Sequence, residues 1–427
     1  MKGKGFIFNQ ELCVNCKACI AACSLENKFT LPVRTVVTFN ENRQQERAVS
    51  HLSIACNHCG IPLCMNGCPS KAYIRNAATD AVIIDQEKCL GCNYCTWNCP
   101  YDAPKFDTRK RVIGKCHLCY TLVADGSLPA CAQACPTGAL KYDRFERHDS
   151  AAIPLLPEGF GIEPALRFSE PVKNIPLEII PPDNTGKLSA AGKGNINSKA
   201  DWSLVLFSFS ATIAAALTIF SFFSDKGPGS LIISLLSLVP GIISLFHLGK
   251  PLRAWRAPAN IRYSPLSREI ACYILFVTAN FLMLFLNFPI FRLFSVFTGL
   301  ILLISIDSVY YYSTGKIRTF LHSGQTFISA LLIASFFTGE LWPFIFTVII
   351  KLSLSVRGLT AYRSSGTEMI FFFRLAALVI SSASLLTGIS YPALPVFLIF
   401  LTGELLDRII FYIDFYPRSI KASLNNT

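Results

Sequence analysis

Sixteen of the seventeen cysteines in this 427-residue chain lie between Cys13 and Cys135, in four groups of four. The groups are Cys13, Cys16, Cys19, Cys23; Cys56, Cys59, Cys64, Cys68; Cys89, Cys92, Cys95, Cys99; and Cys116, Cys119, Cys131, Cys135. So many thiols at such spacing must either pair or hold metal. The first and third groups read CxxCxxCxxxC, in which three close thiols wrap one cubane and the next turn or helix carries the fourth to a neighbouring cluster. Cys68, Cys99 and Cys135 are each followed by proline, which ends the local structure, whereas Cys23 is followed by Ser24. Disulfides suit small secreted domains. The amino terminus, MKGKGFIFNQELCVNC, has no apolar export segment and no twin arginine, so this chain fits them poorly. Zinc is the stronger rival, because CxxC pairs also build four-thiolate sites. It leaves unexplained the third cysteine two residues on and the repeated Cys-Pro. Sixteen thiols then make four [4Fe-4S] clusters with none left over, and Cys272, in an apolar run, reads as a small buried residue.

Composition divides the chain. A hydrophobic fraction of 52% with 15% charge and a mean hydropathy of +0.44 excludes disorder and argues against a wholly soluble protein. The long apolar runs begin only near Trp202. Eight of them approach the length of about 20 residues that crosses a bilayer, near 202–224, 230–248, 269–289, 293–313, 319–338, 342–358, 370–389 and 393–413. The sixth is short and contains Lys351. A soluble helical core is the rival reading, but eight such runs in succession, with four of the connections very short, favour a membrane bundle. Residues 148–201 are rich in Pro, Gly, Asn and Ser and read as an extended connector, part of it draped over the preceding domain. The expected domains are therefore 1–147, 148–201 and 202–427. The net charge of +12 is compatible with nucleic acid, but many of the Lys and Arg residues fall in short loops between apolar runs, where they report membrane topology. Nucleic acid is set aside.

The strings CNHCGIPLCMNGCPSKA, KCLGCNYCTWNCPYDAPKFD and KCHLCYTLVADGSLPACAQACPTGAL resemble the four-cluster electron-transfer subunits of dimethyl sulfoxide reductase-type molybdopterin oxidoreductases. The resemblance covers roughly residues 5 to 145 and includes the eleven-residue gap between Cys119 and Cys131. It implies two pseudo-symmetric ferredoxin-like modules, an α+β domain whose clusters form a wire. Carried over residue by residue, it also implies crossed ligation: Cys13, Cys16, Cys19 with Cys135; Cys116, Cys119, Cys131 with Cys23; Cys56, Cys59, Cys64 with Cys99; and Cys89, Cys92, Cys95 with Cys68. Some relatives replace one ligand by Trp. This chain keeps cysteine at every position, and Trp97 reads as packing. A second resemblance lies in SLFHLGKPLRAWRAPANIRYSPLSRE, Ser244 to Glu269, and in GELLDRIIFY, Gly403 to Tyr412. Both are similar to the all-α eight-helix membrane anchor of the same family, which implies that electron-transfer subunit and anchor are fused in one polypeptide.

The chemistry of that loop suits quinol oxidation, which needs a group that hydrogen-bonds and accepts protons at the membrane edge. His247 ends an apolar helix and has that chemistry, and in the family the matching histidine belongs to the quinol site. Arg253, Arg256 and Arg268 fit either the quinone headgroup or docking of the iron–sulfur domain and anionic lipid, with docking favoured. Glu269 reads as a proton acceptor or as the amino-terminal charge of the third span. Asp307 and His322 are weaker proton-path candidates, and Glu404 and Arg408 read as a self-neutralising i, i+4 pair. The expected function is electron transfer from menaquinol through four [4Fe-4S] clusters to a separate molybdopterin subunit that reduces a sulfoxide, N-oxide or similar acceptor. A redox-coupled membrane ion pump is the alternative. The expected location is the prokaryotic inner membrane. Lys250, Arg253, Arg256, Arg262, Arg268, Lys316, Arg318, Arg357, Arg363 and Arg374 stand against Lys226 and Arg292, and Arg418 and Lys421 follow the last span. This bias places the iron–sulfur domain on the cytoplasmic face, with the periplasmic face as the alternative.

Overall fold

The structure, a computed structural model, describes residues 2–28, 31–39, 49–146, 161–169, 199–286, 288–314, 322–365, 368–386, 394–413 and 415. Most of the expected connector, and Lys316, Arg318, Arg418 and Lys421, lie outside them. The chain divides into two compact units. One holds the cysteine-rich region together with Leu252–Ser264, and the other holds residues 194–251 and 265–416.

In the first unit, β1 (Lys2–Phe8) pairs antiparallel with β8 (Leu140–Glu146) and parallel with β9 (Leu166–Phe168), in the order β8-β1-β9. Side chains alternate along a strand, so Phe6 and Phe8 enter the same side, at 2% and 1% exposure. Phe6 meets Tyr142 edge-on at 5.6 Å between ring centroids, and Phe8 meets Phe168 at 6.2 Å. The third strand thus comes from the stretch that composition marks as connector. Three two-stranded ladders follow: β2 (Thr35–Phe39) with β3 (Ser50–Ile54), β4 (Tyr73–Arg75) with β5 (Val82–Ile84), and β6 (Lys105–Asp107) with β7 (Val112–Gly114). Helices α1 (Ala18–Asn27), α2 (Leu63–Asn66), α3 (Tyr94–Asn98), α4 (Tyr120–Ala124) and α5 (Ala130–Gln133) each carry or directly follow cysteines. The order α2, ladder, α3, ladder repeats one small unit twice.

The second unit is helical: α6 (Lys199–Phe223), α7 (Ser230–Leu245), α8 (Pro265–Leu286), α9 (Pro289–Thr314), α10 (Thr326–Thr338), α11 (Leu341–Ser365), α12 (Glu368–Leu386) and α13 (Leu394–Ile413). Small residues let neighbouring helices approach α6, where Ala211, Ala214, Ala215 and Ala216 are at most 2% exposed. Among the described residues three helical stretches are long and apolar enough to cross a membrane, Trp202–Phe223, Pro265–Leu286 and Pro289–Ser313. Ser230–Leu245, Thr326–Thr338, Leu341–Ser355 and Met369–Ser384 are apolar but shorter. Each of the eight expected spans contains a helix, although α10 is 13 residues and about 20 Å long, well short of a bilayer core. Cys272, expected to be buried, is half-buried on α8.

Candidate metal centres

The turns that carry the cysteines share one backbone device. In the first CxxC of each group the residue two places after the leading cysteine is left-handed: Asn15 (φ 53), His58 (φ 43), Gly91 (φ 68) and Leu118 (φ 67). That conformation folds the turn back over its own thiol, so Gly91 N–H and Leu118 N–H donate to Cys89 Sγ and Cys116 Sγ, each at 3.4 Å. Only one of the four is glycine. Each of the others costs of order 1–3 kcal/mol, which the surroundings must offset. A second left-handed residue follows each Cys-Pro three places after the cysteine, at Lys71, Asp102 and Gly138. Cys23 lacks the proline, and there α1 simply continues to Asn27.

These turns gather the thiols across long sequence gaps. Cys13, Cys16, Cys19 and Cys135 line one cavity with Phe8, Val36, Ser53 and Leu140. Cys23 lies among Cys116, Cys131 and Cys119. Cys59 and Cys64 lie with Cys56 and Cys99, while Cys92 and Cys95 lie with Cys68, and Cys92 also with Cys89. Each foursome takes three thiols from one stretch and one from another.

Burial and the Cys68 sulfur push the Cys92 thiol up to about 12, burial with Cys56 pushes Cys99 up to about 12, and burial tempered by Arg34 pushes Cys131 up to about 11. Thiols so crowded shed their protons together only around a cationic centre. Among the described residues no three His, Cys, Asp or Glu side chains converge as they do on a single metal ion. A thiolate-only foursome around a cavity fits a cubane better than a lone zinc.

Exposure grades across the foursomes. Cys16 is exposed and flanked by exposed Leu12 and Val14, whereas Cys116, Cys119, Cys131 and Cys23 are all buried. Two buried cations, Arg34 and Lys115, and one buried histidine, His58, lie among the sulfurs. Arg34 Nη1 donates to Ser53 Oγ at 3.1 Å, and Ser53 Oγ is 3.3 Å from Cys19 Sγ. The cysteine spacing drew attention to none of the three, although Lys115 adjoins Cys116 and His58 sits inside a CxxC.

The segment Leu252–Ser264 is tied to the ligand turns of this same unit. Arg253 Nη1 donates to the carbonyls of Gln86 (2.8 Å) and Cys89 (3.1 Å). Asn260 Nδ2 donates to those of Asn66 (2.8 Å) and Cys68 (2.9 Å), and Ser264 Oγ to that of Gly67 (2.8 Å). Arg256 stacks on Trp255, its guanidinium 4.9 Å from the ring centroid, and Arg268 is exposed. In the second unit His247 is half-buried just beyond α7, with its ring beside the Ser244 backbone and its Nδ1 buried without a hydrogen bond of good geometry among the described residues. Glu269 is the fifth residue of α8, buried and past the first turn, so it does not sit where a helix amino-terminal charge belongs. No hydrogen bond or ion pair among the described residues joins it to His247.

Glu404 and Arg408 do not neutralise each other. Glu404 pairs with Lys351, which also reaches Asp407 at 3.0 Å, Arg374 pairs with Asp407 at 3.1 Å, and Arg408 faces Asp307 at 3.5 Å. His322 Nδ1 accepts from Gly324 N–H at 2.9 Å and its ring packs edge-on against Phe411. Trp97 packs edge-on against Tyr94.

Residues 47–144 match the 4Fe-4S dicluster domain family. The sequence is 37% identical over 153 residues to the B subunit of the anaerobic dimethyl sulfoxide reductase of Haemophilus influenzae, a match covering 33% of this protein and 74% of that subunit. To the corresponding B subunit of Escherichia coli it is 32% identical over 200 residues, 43% of this protein and 95% of that subunit. To the formate dehydrogenase-O iron-sulfur subunit of Escherichia coli it is 33% identical over 152 residues, 31% of this protein and about half, 51%, of that subunit.

Proposed function

Because the chain belongs to the family of anaerobic dimethyl sulfoxide reductase B subunits, we propose that it carries electrons from a membrane quinol to a separate molybdopterin subunit. The gathering of sixteen thiols into four crossed foursomes carries this reading. Cys13, Cys16, Cys19 and Cys135; Cys23, Cys116, Cys119 and Cys131; Cys56, Cys59, Cys64 and Cys99; and Cys68, Cys89, Cys92 and Cys95 would each hold one [4Fe-4S] cluster. Four such clusters supply one-electron carriers in series.

Quinol oxidation releases two protons with its two electrons, so the site needs acceptors for both. The buried imidazole of His247 suits a quinol hydroxyl, and buried Glu269 suits the onward proton. Arg268, on the helical unit, belongs at the headgroup, while Arg253 and Arg256 belong to the iron–sulfur unit, where Arg253 is spent on the Gln86 and Cys89 carbonyls. Electrons leave at the exposed foursome of Cys16, where uncovered Leu12 and Val14 offer a surface for the catalytic partner. The helical unit serves as an eight-span anchor, and the bias of loop charge supports the cytoplasmic face for the iron–sulfur unit. The terminal acceptor is a sulfoxide, N-oxide or related compound.

The buried charges around Lys351 and Asp407 favour a second reading, a redox-driven ion pump. The full chain in liposomes tests both. About sixteen iron atoms per chain, and cluster reduction by a menaquinol analogue that is lost in His247→Ala with iron unchanged, are expected. Wild-type rates in the variant would refute the quinol site. Reduction that builds an ion gradient beyond the two protons each quinol releases would favour the pump.

A further inference from the structure

The turns of Cys56 and Cys116, which belong to different foursomes, are joined crosswise. Lys115, the residue before Cys116, sends its Nζ the other way, to 3.4 Å from Cys56 Sγ. The same ammonium donates to the carbonyl of Val82, and to that of Cys116 at 2.9 Å. His58, two residues after Cys56, reaches back with Nε2 3.7 Å from Cys116 Sγ. Its Nδ1 accepts the Val82 N–H at 3.1 Å, which leaves the proton of the neutral ring on Nε2, aimed at the sulfur. One peptide position, Val82, therefore holds both side chains, each only 2% exposed.

Lys115 makes no ion pair with Asp or Glu among the described residues. A buried ammonium without a carboxylate is costly unless its counter-charge is already present, and here that charge can come only from the sulfurs. Cluster potentials follow net charge and hydrogen bonds to the sulfurs. A fixed cation, or an N–H aimed at a ligand sulfur, favours the reduced, more negative state.

Resting on the cluster assignment above, we propose that Lys115 and His58 are potential-setting residues, Lys115 for the cluster held by Cys56, Cys59, Cys64 and Cys99, and His58 for the one held by Cys116, Cys119, Cys131 and Cys23. They make the transfer between these two clusters the tuned step of the wire. The step moves one electron: one cluster is oxidised, the other reduced, no bond breaks, and both donors keep their protons. A full charge acts more strongly than a neutral ring, so Lys115 sets the larger shift.

The test is a redox titration of the full membrane-bound chain, followed by electron paramagnetic resonance, with iron counted on the same samples. In Lys115→Met, poised at the wild-type midpoint, the reduced-to-oxidised ratio of one cluster should fall about tenfold, equivalent to about 59 mV for one electron. Lys115→Gln should behave alike and Lys115→Arg should restore most of the shift. His58→Leu should lower a second, different cluster by a smaller factor. Unchanged midpoints with full iron content would overturn the proposal. So would loss of the cluster in both Lys115→Met and Lys115→Gln, which would make the lysine structural. A wild-type chain with far fewer than sixteen irons would instead fell the cluster assignment itself.

Discussion

Crossed ligation makes a prediction that local ligation does not. Cys99 follows α3, which carries Cys95, so a local scheme puts both on one cluster; the fold puts Cys99 beside Cys56, Cys59 and Cys64. Serine keeps the shape of the thiol but stays protonated at neutral pH, so Cys99→Ser should remove one of four ligands. The expected loss is about four iron atoms from a total of about sixteen, or about one if a three-iron remnant survives. A second substitution decides where the loss falls, since changes within one centre are not additive whereas changes in separate centres are. Cys99→Ser with Cys56→Ser should lose no more iron than a single emptied site, about four atoms, while Cys99→Ser with Cys89→Ser should lose about eight. Iron and acid-labile sulfide per chain, read beside the resonance spectrum of the dithionite-reduced protein, give the count. If the Cys99 and Cys89 substitutions together cost only one cluster, the ligation is local and the crossed assignment is wrong.

Gly67→Ala tests the packing between the same two centres: an added Cβ would collide with Asn98 Nδ2 and lie 3.1 Å from the Leu63 carbonyl, so a cost of about 1–3 kcal/mol and loosened clusters at Cys68 and Cys99 are expected, read by thermal unfolding and iron content. In the helical unit Lys351→Met would leave Glu404 without its cation and Asp407 with Arg374 and the Ser323 hydroxyl; about 3–5 kcal/mol of stability in detergent should be lost, and a change below about 1 kcal/mol would mean that the pair is hydrated. Protease added to intact spheroplasts should spare the iron–sulfur unit if it faces the cytoplasm, and digestion from outside would establish the periplasmic orientation.

The cysteine groups were legible because cluster ligation calls for short, rigid spacings, and the apolar runs because uncharged stretches of that length stand out in any sequence. What escaped notice has no spacing. Lys115 and His58 matter through a peptide, Val82, that lies 33 and 24 residues away from them, and nothing local marks that approach. Arg34, just before β2, likewise reaches Cys19 Sγ through Ser53 on β3. The i, i+4 rule misread Glu404 and Arg408 because it assumes exposed partners on one helix. In a packed bundle each buried charge finds its counterpart on a neighbouring helix, where the desolvation cost is shared. The strand Leu166–Phe168 escaped for a different reason: three residues in a Pro/Gly-rich stretch show no alternation long enough to read, and only pairing with β1 makes them a strand.

The same packing bears on topology. The charge bias counts ten basic residues on the side given to the iron–sulfur unit, but a residue whose charge is spent inside the protein reports packing rather than membrane sidedness. Arg374 is 4% exposed within α12 and paired with Asp407, and Arg253 donates to two carbonyls. Ten less these two leaves eight, against Lys226 and Arg292, so the bias keeps its sign at a four-to-one ratio. Arg268 is exposed and Arg262 leans on the ring of Tyr263 at 5.4 Å, so both keep their charge near solvent where headgroups can meet it. Bonds within the iron–sulfur unit therefore explain Arg253 but not the excess, and the excess is what the proposed cytoplasmic orientation rests on.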